Sequence, residues 1–91
     1  MGALGELVAA AWLMKQGYEV FQNVAASGPA DLVAWKPDTG EIHFVDAKMS
    51  KRTVLPSGEE ELKYYKGEHA KKGIRYLLVC GDFVGWADEL E

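Results

Sequence analysis

Ile74-Arg75-Tyr76-Leu77-Leu78-Val79-Cys80 is the stretch that most narrows what this chain can fold into. Its seven residues carry one charge and offer no polar face to water. Short runs of this kind are strands covered on both sides, as in sheets that carry other elements on each face. A chain of 91 residues has room for one such sheet, and a domain of that size buries roughly two-thirds of its unfolded surface. The expectation is a single domain over residues 1–91, with helices flanking a central sheet.

The rest of the chain supplies the other elements in order. Gly2 to Gln16 is rich in good helix formers (Leu7, Ala9, Ala10, Ala11, Leu13, Met14), and Gly17 stands where a C-terminal cap belongs. Glu6 shares a stripe with Ala10 and Leu13, the stripe that would face a core. The plainer reading of Glu6 is an acid complementing the helix dipole in a first turn. Tyr18 to Val24 alternates as a strand, Ala25 to Pro29 reads as a turn, and Asp31 to Trp35 is a second strand headed by a lone acid. Lys36-Pro37-Asp38-Thr39-Gly40 is a strong turn signal, so the second strand and the third, Glu41 to Met49, form an antiparallel hairpin. Ser50 to Pro56 reads as a polar connection carrying Lys51 and Arg52. Ser57-Gly58-Glu59-Glu60 matches a capping box and predicts a second helix to about Lys72, with Leu62, Tyr65 and His69 as its apolar stripe. Phe83 to Trp86 adds a short edge strand after the turn at Gly81-Asp82. The predicted order is α-β-β-β-α-β, an α/β sandwich about a mixed sheet.

Chemistry concentrates in the third strand. Side chains at i and i+2 of a strand share a face, so Asp46 and Lys48 emerge side by side behind Ile42 and Phe44. A carboxylate beside an ammonium at the exit of a buried strand can hold a hard metal ion and handle a proton. An acid two residues before a lysine is expected about once by chance in a chain of this composition, and the pattern recurs at Glu61-Leu62-Lys63. Inside the predicted helix that second pair would diverge around the axis, which leaves 46–48 as the pair with working geometry. Whether Asp31 joins Asp46 depends on the register of the hairpin. His43 falls on the opposite face from Asp46, and with His69 it reads as structural or surface.

The net charge of −4 argues against broad nucleic-acid affinity, yet residues 46–75 carry 8 Lys/Arg against 5 Asp/Glu. A locally basic segment on an acidic body can still bind phosphate, because contact charge sets that interaction. A solvated charged face is the bland alternative. The longest apolar run near the N-terminus, Leu7 to Met14, is far short of the ~20 residues that span a bilayer. With no signal-peptide pattern and one cysteine, Cys80, read as a core thiol, the expected setting is the reducing cytoplasm.

Taken together, Glu6 in the first helix, Gly28-Pro29-Ala30-Asp31 opening the second strand, Asp46-Ala47-Lys48 on the third, and the α-β-β-β-α-β order resemble the PD-(D/E)XK nuclease superfamily. Within it the compact form is most similar to archaeal Holliday junction resolvases and the related group I intron homing endonucleases. The glutamine and tyrosine pattern that RecB-like members carry on the second helix is not matched.

The resemblance implies a restriction-endonuclease-like fold and a Mg²⁺-dependent DNA endonuclease, with Mn²⁺ able to substitute. Phosphodiester hydrolysis must deliver hydroxide to an anionic centre and stabilise added charge, which a hard cation held by one or two carboxylates does. Asp31 and Asp46 would be the direct ligands, with the Ala47 carbonyl as a third. Glu6 would act through a water or complete a second metal position. Lys48 would orient the attacking water or steady the developing charge. Ser50, Lys51 and Arg52 would contact substrate phosphates. The alternative is a catalytically inactive nucleic-acid-binding or assembly module of the same fold. Cutting both strands of a duplex further predicts a homodimer or higher even-numbered oligomer, with the apolar piece Phe83-Val84-Gly85-Trp86 as the contact.

Overall fold

The structure is a computed structural model that describes residues 3–24, 30–63 and 73–90. Helix α1 spans Ala3–Lys15 and is followed by strands β1 (Glu19–Gln22), β2 (Leu32–Lys36), β3 (Glu41–Met49), β4 (Lys51–Val54), β5 (Glu60–Lys63), β6 (Ile74–Cys80) and β7 (Phe83–Trp86). A short helix α2, Ala87–Leu90, comes last. Gly17 ends α1 as its composition suggests. At φ +98° it lets its own N–H donate to Met14 O at 3.1 Å while Tyr18 N–H donates to Leu13 O at 3.1 Å. That pair of bonds satisfies two carbonyls the helix leaves open.

Five strands form one sheet in the order β1-β2-β3-β6-β7, and β4 with β5 forms a separate two-stranded ribbon. The β2–β3 hairpin closes through Gly40 at φ +79°, with Gly40 N–H donating to Lys36 O at 2.8 Å. β3 and β6 are parallel and the other neighbours antiparallel. This mixed sheet with flanking helices is a restriction-endonuclease-like arrangement.

The core lies between α1 and one face of the sheet, where Ala9 and Leu13 meet Leu32, Ala34, Val45, Ala47, Leu77 and Val79. Small residues at 9, 34 and 47 let the helix axis approach the strands closely. Burying Leu13 completely is worth about 1.5–3 kcal/mol. On the other face Tyr76, Leu78 and Ala87 form a smaller buried cluster with Leu62 packed against it. The run 74–80 is thus covered on both sides, as its sequence requires. Cys80, at its end, is half-buried rather than a core thiol.

Three expectations are corrected. Residues 51–54 are not a connection and 60–63 do not begin a helix; they pair as β4 and β5. The Ser57-Gly58-Glu59-Glu60 segment closes this hairpin instead of capping a helix. Gly58 adopts φ +89° and donates to Leu55 O at 2.8 Å, while Leu55 N–H donates to Glu59 O at 2.7 Å. A left-handed glycine at a loop apex outweighs the capping-box match, and Leu62 gains burial against Tyr76 and Leu78. Residues 64–72, including Tyr65 and His69, lie outside the described residues, as do Gly28 and Pro29. Finally, Phe83–Trp86 is only in part an exposed apolar surface: as the edge strand expected of it, it pairs with β6 and buries Val84 and Trp86 in the chain's own core, while Phe83 stays 37% exposed.

Candidate active site

Asp46 and Lys48 project from the face of β3 opposite α1, since Val45 and Ala47 between and before them point into the helix-covered core. Asp46 is 4% exposed. Its Oδ2 lies 3.5 Å from Lys48 Nζ, an ion pair looser than a charge-assisted hydrogen bond. Removing a carboxylate from water costs several kcal/mol unless it is paired and hydrogen-bonded, and the Lys48 ammonium is one of its partners. Glu61 and Lys63 share a face too, because β5 is a strand and not a helix. Burial is what separates the two copies of the motif: Glu61 and Lys63 are both exposed.

The register of the hairpin places Asp31 across from Asp46. Leu32 pairs with Val45, so the next position outward on β2 stands opposite the next position along β3. Asp31 N–H donates to Val45 O at 2.9 Å, and its Oδ2 accepts from Ala47 N–H at 3.1 Å. The side chain thereby adds one rung where the backbone ladder ends. Asn23 fixes this corner from β1. Its Nδ2 donates to Ala30 O at 3.0 Å and its N–H donates to Asp31 O at 3.0 Å. Nothing in the alternation of residues 18–24 singled out Asn23; a side-chain amide just past a strand is its only signal.

Ser50 anchors the far end of β3. It is buried, its N–H donates to Val79 O at 3.0 Å, and its hydroxyl donates to the same oxygen at 3.3 Å. The hydroxyl proton expected on a phosphate is therefore engaged within the sheet. Lys51 and Arg52 are exposed on β4, where Arg52 Nε lies 3.7 Å from Glu60 Oε2.

Glu6 is half-buried on α1, the helix that packs on the Ala47 side of β3. Among the described residues no three of His, Cys, Asp and Glu come together as a metal-holding group. What the hairpin does assemble is an all-oxygen donor set: the carboxylates of Asp31 and Asp46 with the backbone carbonyl of Ala47. Asp31 uses Oδ2 for Ala47 N–H and keeps Oδ1. Hard cations such as Mg²⁺ take oxygen ligands of this kind, and these residues fit one.

A second polar cluster occupies the other end of β3. His43 Nε2 lies 2.6 Å from Glu41 Oε2, which also accepts from the Tyr18 hydroxyl. Burial, then the bond to Glu41, pushes the Tyr18 phenol up to about 12, and the same bond holds the Glu41 carboxyl below its ordinary range. Arg75 stacks 3.9 Å over the Trp86 ring and grips Asp88 through two bonds of 2.8 and 2.6 Å. Those bonds lower the Asp88 carboxyl and raise the guanidinium. His43 thus sits on the α1 face, as strand alternation demands, and ties β3 to β6 and β7.

A buried acid–lysine pair and a register-matched second acid, on a mixed sheet behind one helix, frame the comparison with known families. One family model matches residues 5–85, that of Uncharacterised protein family UPF0102. The chain belongs to that family. The family is of the PD-(D/E)XK-like nuclease type, and its match spans every residue of the corner built by Asp31, Asp46 and Lys48. No curated protein and no solved structure matches the chain significantly. No helix among the described residues is long and apolar enough to cross a membrane.

Proposed function

We propose that the protein is a metal-dependent endonuclease that hydrolyses DNA phosphodiester bonds, with branched or junction DNA as its substrate class. The observation that carries this reading is the 4%-exposed Asp46 carboxylate, held beside Lys48 with Asp31 set opposite by strand register. Asp31, Asp46 and the Ala47 carbonyl would hold Mg²⁺, or Mn²⁺ in its place. The ion would lower the pKa of a bound water and neutralise charge on the phosphate. Lys48, on the same face as Asp46, positions the attacking water or steadies the developing negative charge. Glu6, on the α1 side of the sheet, would have to act through an intervening water. Lys51 and Arg52, exposed just beyond β3, contact the flanking phosphates.

A branched substrate has two strands to cut, which favours an even-numbered oligomer. The outward stripe of α1, where Leu4, Leu7 and Met14 are all exposed, is the apolar seat for a second copy. The deciding experiment incubates the protein with branched and linear DNAs in Mg²⁺ or Mn²⁺ against EDTA. EDTA-sensitive cleavage that disappears in Asp46→Ala is expected. Tight binding without cleavage across the whole panel would instead assign the inactive nucleic-acid-binding module.

A further inference from the structure

On the Asp46 side, strands β1 to β3 carry a stretch of face that no other element among the described residues covers. Antiparallel strands with one face in the core ordinarily turn polar side chains outward. In β1, β2 and β3 the inward set, including Leu32, Ala34 and Val45, is buried beneath α1 as expected. Much of the outward set is apolar as well, around Glu19 and the Asp31–Asp46–Lys48 corner. Register aligns Phe21 with Val33 and Phe44 in one row, and Glu19 with Trp35 and Ile42 in the next. Phe21 is 52% exposed, Trp35 37%, Ile42 53% and Phe44 49%. With about 150–250 Å² on a large side chain, those four leave on the order of 400 Å² of contiguous apolar surface, within the roughly 300–600 Å² of a monomer's largest patch, which is often functional.

We infer that this face is a stacking platform for unpaired nucleobases, feeding the strand that carries them to Asp46 and Lys48. The inference rests on the nuclease reading for its direction along the strand, and not for the platform itself. Three of the four exposed groups are aromatic, and an aromatic face takes any base because every base has a π-face. Phe44 precedes Asp46 by two positions on one strand and one face, about 6.7 Å away at strand rise. Bases resting on Trp35 and then on Phe44, one row nearer Asp46, would therefore leave their backbone running toward the acid–lysine pair. Beyond Lys48 the chain offers Lys51, Arg52 and Lys63, all exposed, to the phosphates that follow. A second copy seated on the same face would cover Asp46 and Lys48, whereas a nucleic-acid strand uses platform and pair together. Bases inside a duplex stack on each other and present no free face, and extracting one costs a few kcal/mol. The platform thus selects single-stranded or frayed DNA, which a flap or the opened centre of a branch point supplies.

The test measures binding of a labelled 20-nucleotide oligothymidine and of a blunt duplex of equal length, in EDTA so that no cleavage intervenes. Wild type should prefer the single strand. Phe44→Ala and Trp35→Ala should each weaken single-strand binding about tenfold, with duplex binding changed less than twofold. Phe44→Leu keeps the apolar area and removes the ring, and should lose most of the same factor. This variant keeps the test open if an alanine variant fails to fold. Single-strand affinity unchanged in Phe44→Leu and Trp35→Ala, or a wild-type preference for duplex, overturns the platform. So does a shift from dimer to monomer in sedimentation of Phe44→Ala with DNA affinity intact, which would hand the face to a second copy. Cleavage of a forked DNA with Mn²⁺ is followed in parallel. Ring-dependent binding without cleavage would leave the platform standing while the nuclease reading fails, and cleavage indifferent to the rings would do the reverse.

Discussion

Asp31 has two roles that substitution can separate. Its Oδ2 accepts from Ala47 N–H at 3.1 Å, and Ala47 is fully buried. Asp31→Ala strands that N–H without an acceptor, a loss of about 1–3 kcal/mol. For a domain of this size each kcal/mol lowers Tm by about 4–8 °C, so a drop of roughly 5–20 °C is expected. Asp31→Asn keeps a side-chain oxygen to accept the same bond, and forfeits only the charge assistance, about 1 kcal/mol or less. Both variants remove one carboxylate from the proposed cation site, so both should lose cleavage and weaken Mn²⁺ binding. Urea unfolding followed by far-UV circular dichroism, with calorimetric titration of Mn²⁺, reads the two roles independently. Equal stability losses in Asp31→Ala and Asp31→Asn, or an alanine variant within 0.5 kcal/mol of wild type (about half the smallest expected loss), would refute the account of the added rung.

Four further outcomes follow from the structure. Lys48→Ala should fold normally while its single-turnover cleavage rate falls about 10²–10⁴-fold; a rate within about threefold of wild type removes Lys48 from the chemistry. The Tyr18 phenol is raised in the folded state to about 12 from an ordinary 10.0, so the stability it contributes is complete below pH 10.0 and is lost as pH rises towards 12. Tyr18→Phe should flatten stability across that window, and a pH profile identical to wild type would contradict the Tyr18–Glu41 bond. Trp86→Ala should cost about 3–5 kcal/mol of stability, because Trp86 is buried against α1 and beneath Arg75, whereas Leu7→Glu should leave the fold intact and abolish self-association in sedimentation.

Local chemistry was sufficient for much of the fold. The 74–80 run could only be a strand covered on both sides, Gly17 had to close α1, and 37–40 had to turn the chain between β2 and β3. Each rests on contacts within a few residues, or on a side-chain pattern that has no other solution. The shared face of Asp46 and Lys48 follows from strand periodicity in the same way. Residues 51–63 went the other way. Glu60-Glu61-Leu62-Lys63 has helix-forming composition, yet it pairs as β5, because Gly58 turns the chain and Leu62 finds a place against Tyr76 and Leu78. That choice depends on partners 14 and 16 residues away, which no window of sequence contains. Register decided the site itself: one residue of slip between β2 and β3 would put Asp31 on the wrong side of the sheet, and only the packed core under α1 forbids it. The exposed rings of Phe21, Trp35 and Phe44 belong to the same class. Alternation marks them as outward, but whether an outward face is covered is a property of the whole fold, since it depends on where every other element comes to rest.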